Sequence, residues 1–263
     1  MMDIQLKSTN GMIESENESE NESKRNYFIL FLRGLVFITG ILVLSLGAST
    51  AITASLGVPT WDVLHIGLAN KTPFSIGRWV QIIGVSMILM TAFLEKEKPS
   101  LGSIVNIIMI GFFMNLILES KLLPVFDGFM PRTMMLLSGI TLMGFGSGMY
   151  VSSKFGAGPR EGLTLFISKR FSMSIRLSRT IIEVIALTIG WLLGGPVALG
   201  TFTTVILIGP IMQFSLKFWT NQIERISVAY VRILASKSEP LYPLYPLYPA
   251  IPDLMLPEEV ERS

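Results

Sequence analysis

Cysteine is absent from this 263-residue sequence, and histidine occurs once, as His65. The lack of cysteine excludes disulfide bonds, thiolate metal sites and cysteine nucleophiles. A single histidine excludes a metal site built from several histidines of one chain. Charge is also scarce, because only 15% of the residues are charged, whereas a soluble domain has about a quarter. These absences argue against a soluble enzyme, and we expect no catalytic residues, cofactor or bound metal.

Hydrophobic residues make up 50% of the chain. They cluster in runs of about 18 to 23 residues, and a helix of that length crosses the ~30 Å hydrocarbon core of a bilayer. The predicted fold class is therefore an all-α polytopic membrane protein. We place six transmembrane helices at about 27–49, 77–94, 101–118, 133–151, 177–193 and 200–219.

The distribution of lysine and arginine predicts the orientation in the membrane. Sixteen of these residues lie in the N-terminal tail, the second and fourth loops and the C-terminal segment. The opposite side has only Lys71, Arg78, Lys121 and Arg132. Because basic residues favour the cytoplasmic side, we expect both termini in the cytoplasm of a bacterium and the chain in its inner membrane.

An internal repeat relates residues 27–130 to residues 131–220. At an offset of 99, the glycines at 40, 47 and 57 match those at 139, 146 and 156. At an offset of 98, Gly102 and Gly111 match Gly200 and Gly209. Each half has three predicted spans, and this odd number places the second half upside down relative to the first. The pattern predicts an inverted repeat, as in many secondary transporters.

Three terminal segments lie outside the repeat. Residues 1–26 are acidic and polar, and we expect a disordered cytoplasmic tail. Residues 221–236 fit one amphipathic cytoplasmic helix. Residues 237–263 are expected to be disordered, and they contain Leu-Tyr-Pro three times in succession at 241–249. This run is either a docking ligand or the product of sequence slippage.

A short segment broken by glycine and proline separates the first and second spans of each half. Breaks at equivalent places in two halves are a pointer to a binding site, and a helix N-terminus favours an anionic group. The alternative is a pair of interfacial helices that seal the two faces. The hinge residues predicted for these half-helices are Gly57, Pro59, Gly156, Gly158 and Pro159, and their candidate site residues are Asp62, Arg160 and Glu161.

Glu183 lies inside the fifth predicted span, where an ionised residue needs a partner. Arg179 is one helical turn away and Arg33 lies in the first span. A structural Glu–Arg pair and a functional acid such as a proton carrier both remain open. We include Glu183 and Arg33 in the candidate substrate or coupling site.

Other polar and aromatic residues within the spans allow simpler interpretations. Asn106, Asn115 and Gln213 suit interhelical hydrogen bonds, and Asn115 and Gln213 also join the candidate site. His65 suits a packed or interfacial histidine. Trp61, like Trp79 and Trp219, lies near a predicted helix end and suits an interfacial anchor.

The motifs at 57–65 and 158–163 give the chain a family resemblance. Together with 190–195 and 207–210, they resemble the YczE-like branch of the YczE/YyaS/YitT family of bacterial integral membrane proteins. The resemblance covers about residues 30–220. It implies a multi-pass protein of the cytoplasmic membrane without a defined reaction, and some members are accessories to secondary-metabolite production. The family pattern has Asp at the position of Glu161, so the chain departs from it there.

Two functions follow from these observations. The repeat and the broken segments favour a transporter or a protein that binds or permeates a small solute. The basic fourth loop, the tails and the resemblance favour a membrane accessory that anchors or regulates cytoplasmic proteins. The expected partners are the lipid bilayer and an unknown solute or cytoplasmic protein, with no nucleic acid. Nothing in the sequence indicates an oligomeric state.

Overall fold

The computed structural model describes residues 2–96, 101–156 and 158–237, with side chains from Ser23 onward except those of Glu161 and residues 235–237. Within these ranges the regular structure consists of α-helices. Their bounds are α1 Met2–Ala54, α2 Thr60–Ala69, α3 Ile76–Glu95, α4 Leu101–Ser120, α5 Phe129–Ser152, α6 Pro159–Phe171, α7 Ile175–Leu192 and α8 Leu199–Lys237. The order of a long helix, a short helix and two further helices occurs twice.

Five segments of the described chain are long and apolar enough to cross a membrane. They are Ser23–Ala54 within α1, the helices α3, α4 and α5, and Leu199–Leu234 within α8. Each coincides with a predicted span. The remaining predicted span is α7, which has 18 residues and contains Arg176, Arg179 and Glu183. These three charges explain why α7 is less apolar than the other five spans and is not among the segments that are apolar enough to cross a membrane.

The ends of the chain differ from the sequence-based expectation. Residues 2–26, predicted to be disordered, continue α1 as helix. Extending an existing helix avoids the cost of nucleation, and glutamate and lysine are good helix formers. Residues 221–236 are helical as predicted, but they continue α8 without a break. The Tyr/Pro-rich tail, from residue 238 onward, lies outside the described residues.

The two long helices α1 and α5 cross at glycines from both halves. A Cβ atom added to Gly47 would lie 2.7 Å from the carbonyl oxygen of Gly139. One added to Gly146 would lie 2.7 Å from the carbonyl oxygen of Gly40. Such close approach of two backbones requires residues without side chains. Since Gly40 and Gly47 are the predicted counterparts of Gly139 and Gly146, the same contact occurs twice with the halves exchanged.

Each short helix packs against the other half. Helix α2 lies on α7, where the backbone of Leu64 closely approaches Gly190. Helix α6 lies on α3, and the two are joined near the chain's polar loops by an ion pair of Lys169 with Glu95 at 3.9 Å. Both short helices therefore bridge the halves, and Trp61, Leu64 and Leu163 share one buried apolar cluster.

The two halves differ in the packing of their last two helices, α3 on α4 in the first half and α7 relative to α8 in the second. Helix α3 packs closely on α4, because Gly77 and Gly84 leave no side chain between them. At an offset of 99, the corresponding residues of α7 are Arg176 and Glu183. Helix α7 packs on α2 and α6 instead, and a Cβ atom added to Gly209 of α8 would meet no atom within 4 Å. The larger, charged residues of α7 thus leave space beside α8.

Candidate functional site

The first turns of α2 and α6 meet within the helical bundle, where the turn of α2 is buried and Arg160 of α6 is exposed. Pro59 and Gly158 precede the two helices, and neither helix start has a side-chain cap. The Arg160 guanidinium carbon lies 5.0 Å from the centroid of the Trp61 ring. The first N–H groups of a helix lack intrahelical partners and can donate to a ligand, and residues of both first turns line one cavity.

This cavity has a volume of about 430 Å³, which is within the range of small-molecule sites. Its apolar wall comes from α3, α4 and α5 and includes Met87, Ile107, Met114 and Met143. Its polar groups come from both halves. The arrangement of a mostly apolar wall with a few convergent polar groups is typical of a ligand pocket.

Asp62 is the most deeply buried acid of the cavity, with 5% of its surface exposed. Its Oδ1 lies 3.4 Å from Nδ1 of His65, one helical turn further along α2. That distance is long for a hydrogen bond. The position of Asp62 in the first turn places its charge near the positive end of the α2 dipole. Within the described part of the chain, this contact to His65 is the one hydrogen bond of the Asp62 carboxylate.

Asn106 of α4 also lines the cavity, with 1% of its surface exposed. Its side-chain Nδ2 has no hydrogen-bond partner among the described residues. A buried donor without a partner is costly, and most such groups in proteins are satisfied. This unsatisfied amide is therefore a second polar group that a bound molecule would complete.

Asn115, predicted as a site residue, has a structural contact instead. Its Oδ1 accepts a hydrogen bond from the Gly77 backbone N–H at 2.9 Å. Gly77 lies in the first turn of α3, whose N-cap Ser75 makes no side-chain cap. Asn115 thus caps α3 from the neighbouring helix, and it does not line the cavity.

Glu183 and Arg179 form an ion pair at the edge of the cavity. The Arg179 Nε donates to the Glu183 Oε1 at 3.2 Å, and both side chains line the cavity. Arg33, the other predicted partner of Glu183, does not line it. The Arg33 Nε is buried without a hydrogen-bond partner. Of the two candidate partners, the structure pairs Glu183 with Arg179.

The remaining predicted residues are distributed as follows. Gln213, Pro59, Gly158 and Pro159 line the cavity. The hinge glycines lie beside the opposite half, with the added Cβ of Gly57 at 2.9 Å from the Thr201 nitrogen and that of Gly156 at 2.7 Å from the Ser103 nitrogen. Glu161 belongs to the first turn of α6, and its side chain lies outside the described residues.

Trp61 differs most from its sequence interpretation. It was expected to anchor the chain at the membrane surface, but it is buried and lines the cavity. A tryptophan near the end of an apolar run is typical of an interface. Only the return of α2 into the bundle places it in the interior, and its proximity to the glycine- and proline-broken segment is the one signal of this in the sequence.

The helices and the central cavity define a multi-pass helical membrane protein. The chain belongs to the family of unknown function DUF6198, whose model matches residues 31–217. This match agrees with the resemblance found in the sequence motifs.

Three relatives support this assignment. The uncharacterized membrane protein YczE of Bacillus subtilis is 31% identical over 213 residues, which are 80% of this chain and 97% of the relative. An uncharacterized protein of Haemophilus influenzae is 35% identical over 69% of this chain and 82% of its own length. The uncharacterized protein YyaS of Bacillus subtilis is 30% identical over 66% and 87%. No solved structure matches the chain.

Proposed function

We propose that this protein binds a small solute in the cavity between its two halves and passes it across the membrane. The observation that carries the proposal is the contact of Trp61 with Arg160 at the cavity, where the uncapped first turns of α2 and α6 meet. Half-helices whose N-termini meet inside a membrane protein commonly form substrate sites. The role is binding and passage rather than catalysis.

The proposal includes six spans arranged as an inverted repeat, with α7 as the sixth. Its 18 residues reach about 27 Å at 1.5 Å per residue, close to the thickness of the hydrocarbon core. Two of the three charged residues of α7, Arg179 and Glu183, line the cavity. The reciprocal contacts of Gly47 with Gly139 and of Gly146 with Gly40 support the repeat. We place both termini on the cytoplasmic side of a bacterial inner membrane, following the basic loops.

Labelling of the cavity tests the binding step. Because the chain has no cysteine, Ser147→Cys introduces a single thiol into the cavity wall. We expect the thiol to react with a small maleimide and to be protected by a solute of the host cell, supplied first as a total small-molecule extract. Ser120→Cys, at the exposed end of α4 and outside the cavity, is the matched control: it should react with the maleimide and show no protection.

Flux measurements test the passage step. Proteoliposomes that contain the protein should take up a protecting solute faster than empty liposomes. Uptake should fall when Ser147→Cys is blocked by maleimide, and it should not fall when Ser120→Cys is blocked. Protection without uptake would contradict transport and would show that the protein binds the solute without passing it across the membrane. The absence of both protection and uptake would contradict the proposed function as a whole.

A second function, an accessory that anchors cytoplasmic proteins, is favoured by the end of α8. This helix continues past the predicted span, and a groove of about 510 Å³ lies along it between Asn221 and Ile233. Glu224, Arg225 and Arg232 supply its charges. If this groove carries the function, Arg225→Glu and Arg232→Glu should abolish the cellular phenotype of the protein and leave protection of Ser147→Cys unchanged.

A further inference from the structure

We infer that the solute is a small zwitterion with an apolar side chain, such as a neutral apolar amino acid. This inference rests on the proposed function and adds the chemical class of the ligand. Three features of the cavity carry it: a positive end at α6, a negative group at Asp62, and a wall of methionine and isoleucine side chains.

The positive end consists of the α6 N-terminus and Arg160. A helix N-terminus carries a partial positive charge, and α6 begins without a side-chain cap. Arg160 lies in its first turn and adds a full positive charge at the same place, over the face of Trp61. Because a cation at this end of a helix dipole is unfavourable on its own, an anionic group of the ligand would stabilise the arrangement.

Asp62 provides the opposite charge. Its carboxylate lines the same cavity, is nearly inaccessible from outside, and has only the long contact to His65 among the residues that the structure describes. A buried carboxylate is stabilised by a partner that donates hydrogen bonds. An ammonium group of the ligand would be that partner. Both charges line the same cavity, at the first turns of α2 and α6, and these turns are in contact through Trp61 and Arg160.

Asn106 supplies a donor that is independent of the helix ends. It belongs to α4, is almost completely buried, and its Nδ2 has no partner within the described chain. A carboxylate oxygen of the ligand would accept this hydrogen bond. Thr60 and Ser147 add hydroxyl groups to the same cavity, and these groups can either donate or accept.

The apolar wall fixes the remaining part of the ligand. Met87, Ile107, Met114 and Met143 come from three different helices and are all buried. Methionine adapts to side chains of different shape, so we expect several aliphatic or thioether side chains to fit. A strongly polar side chain would lose its hydration without gaining hydrogen bonds from this wall.

Four probes separate the charges of the ligand. Leucine has both charges and an apolar side chain, 3-methylbutylamine has only the ammonium group, and 4-methylpentanoate has only the carboxylate. Asparagine has both charges with a polar side chain of similar size. The measurement is protection of Ser147→Cys in the purified full-length protein in lipid nanodiscs. We expect leucine to protect at a concentration at least tenfold lower than each of the other three.

Two variants assign the charges to residues. Asp62→Asn should remove the advantage of leucine over 4-methylpentanoate, and Arg160→Gln should remove its advantage over 3-methylbutylamine. Glu119→Gln and Arg78→Gln remove exposed charges outside the cavity, and they should leave the order of the four probes unchanged.

Several outcomes would overturn the inference. If 3-methylbutylamine protects as well as leucine, the site binds cations, and if 4-methylpentanoate does so, the site binds anions. Protection by the cell extract but by none of the four probes would reject this ligand class and leave the proposed solute binding intact. If neither the extract nor a probe protects, the proposed function fails as well.

Discussion

Trp61 and Arg160 contact each other although they lie 99 residues apart, at counterpart positions of the two halves. In a structure with a two-fold axis, a residue can touch its own counterpart only close to that axis. The contact therefore supports an axis that passes between the first turns of α2 and α6. Under the proposed inverted repeat, this axis lies in the plane of the membrane, and the cavity lies at mid-depth.

The first prediction concerns the outer ends of the two half-helices. If their N-termini meet in the interior, their C-terminal ends must point to opposite faces of the membrane. Lys71, after α2, and Lys169, near the end of α6, are both exposed. We expect an impermeant thiol reagent to label Lys71→Cys from the outside of intact cells, and Lys169→Cys only after the membrane is opened. Labelling of both thiols in intact cells would contradict the inverted repeat.

The second prediction concerns the crossing of α1 and α5. A Cβ atom at position 47 would lie 2.5 Å from the Met143 nitrogen and 2.7 Å from the Gly139 oxygen, so Gly47→Ala must push two helix backbones apart. Overpacking of this kind costs about 1–3 kcal/mol, and the melting temperature in detergent should fall. Gly209→Ala is the control, because no atom lies within 4 Å of its added Cβ. Equal melting temperatures for the two variants would argue against a tight crossing.

The helices could be predicted from the sequence because the bilayer imposes a minimum length on each apolar run. All six predicted spans coincide with helices of the structure, and five of these are long and apolar enough to cross a membrane. The ends of α1 and α8 could not be predicted in the same way. Outside the bilayer no length requirement applies, and residues 2–26 and 221–236 extend the adjoining helices.

The candidate site was predicted only in part. The glycine and proline breaks indicated the segments around Asp62 and Arg160, because glycine and proline interrupt helices and mark where an apolar run is broken. Asn115 and not Asn106 was predicted to belong to the candidate site, although both are amides on the same apolar helix and the sequence does not distinguish their surroundings. Their difference depends on the neighbouring helix, because Gly77 lies opposite Asn115 and the cavity lies beside Asn106.

The third prediction uses these two asparagines as a matched pair. Asn115→Leu removes the acceptor of the Gly77 N–H and with it the cap of α3, which should destabilise the protein by about 0.5–2 kcal/mol. Asn106→Leu removes a donor that has no partner, and loss of such a group is neutral or stabilising. We expect thermal unfolding in detergent to show a lower melting temperature for Asn115→Leu only. Solute protection of Ser147→Cys should instead be lost in Asn106→Leu, and the reverse assignment would contradict the site.

The last prediction concerns Glu183, whose ion pair with Arg179 lies at the edge of the cavity. The side chains of Arg179 and Glu183 are 58% and 28% exposed, and pairs of this kind contribute at most about 1 kcal/mol, far less than a fully buried pair. Glu183→Gln should therefore change the melting temperature little, while it leaves Arg179 unpaired at the cavity and alters the flux of the solute.

If Glu183 carries a proton during transport, the flux of this variant should also lose its dependence on pH, and Glu183→Asp should retain it. Glu95→Gln is the matched control, because Glu95 is 26% exposed and pairs with Lys169 away from the cavity. A Glu183→Gln protein with wild-type stability, flux and pH dependence would show that the pair has no part in the function.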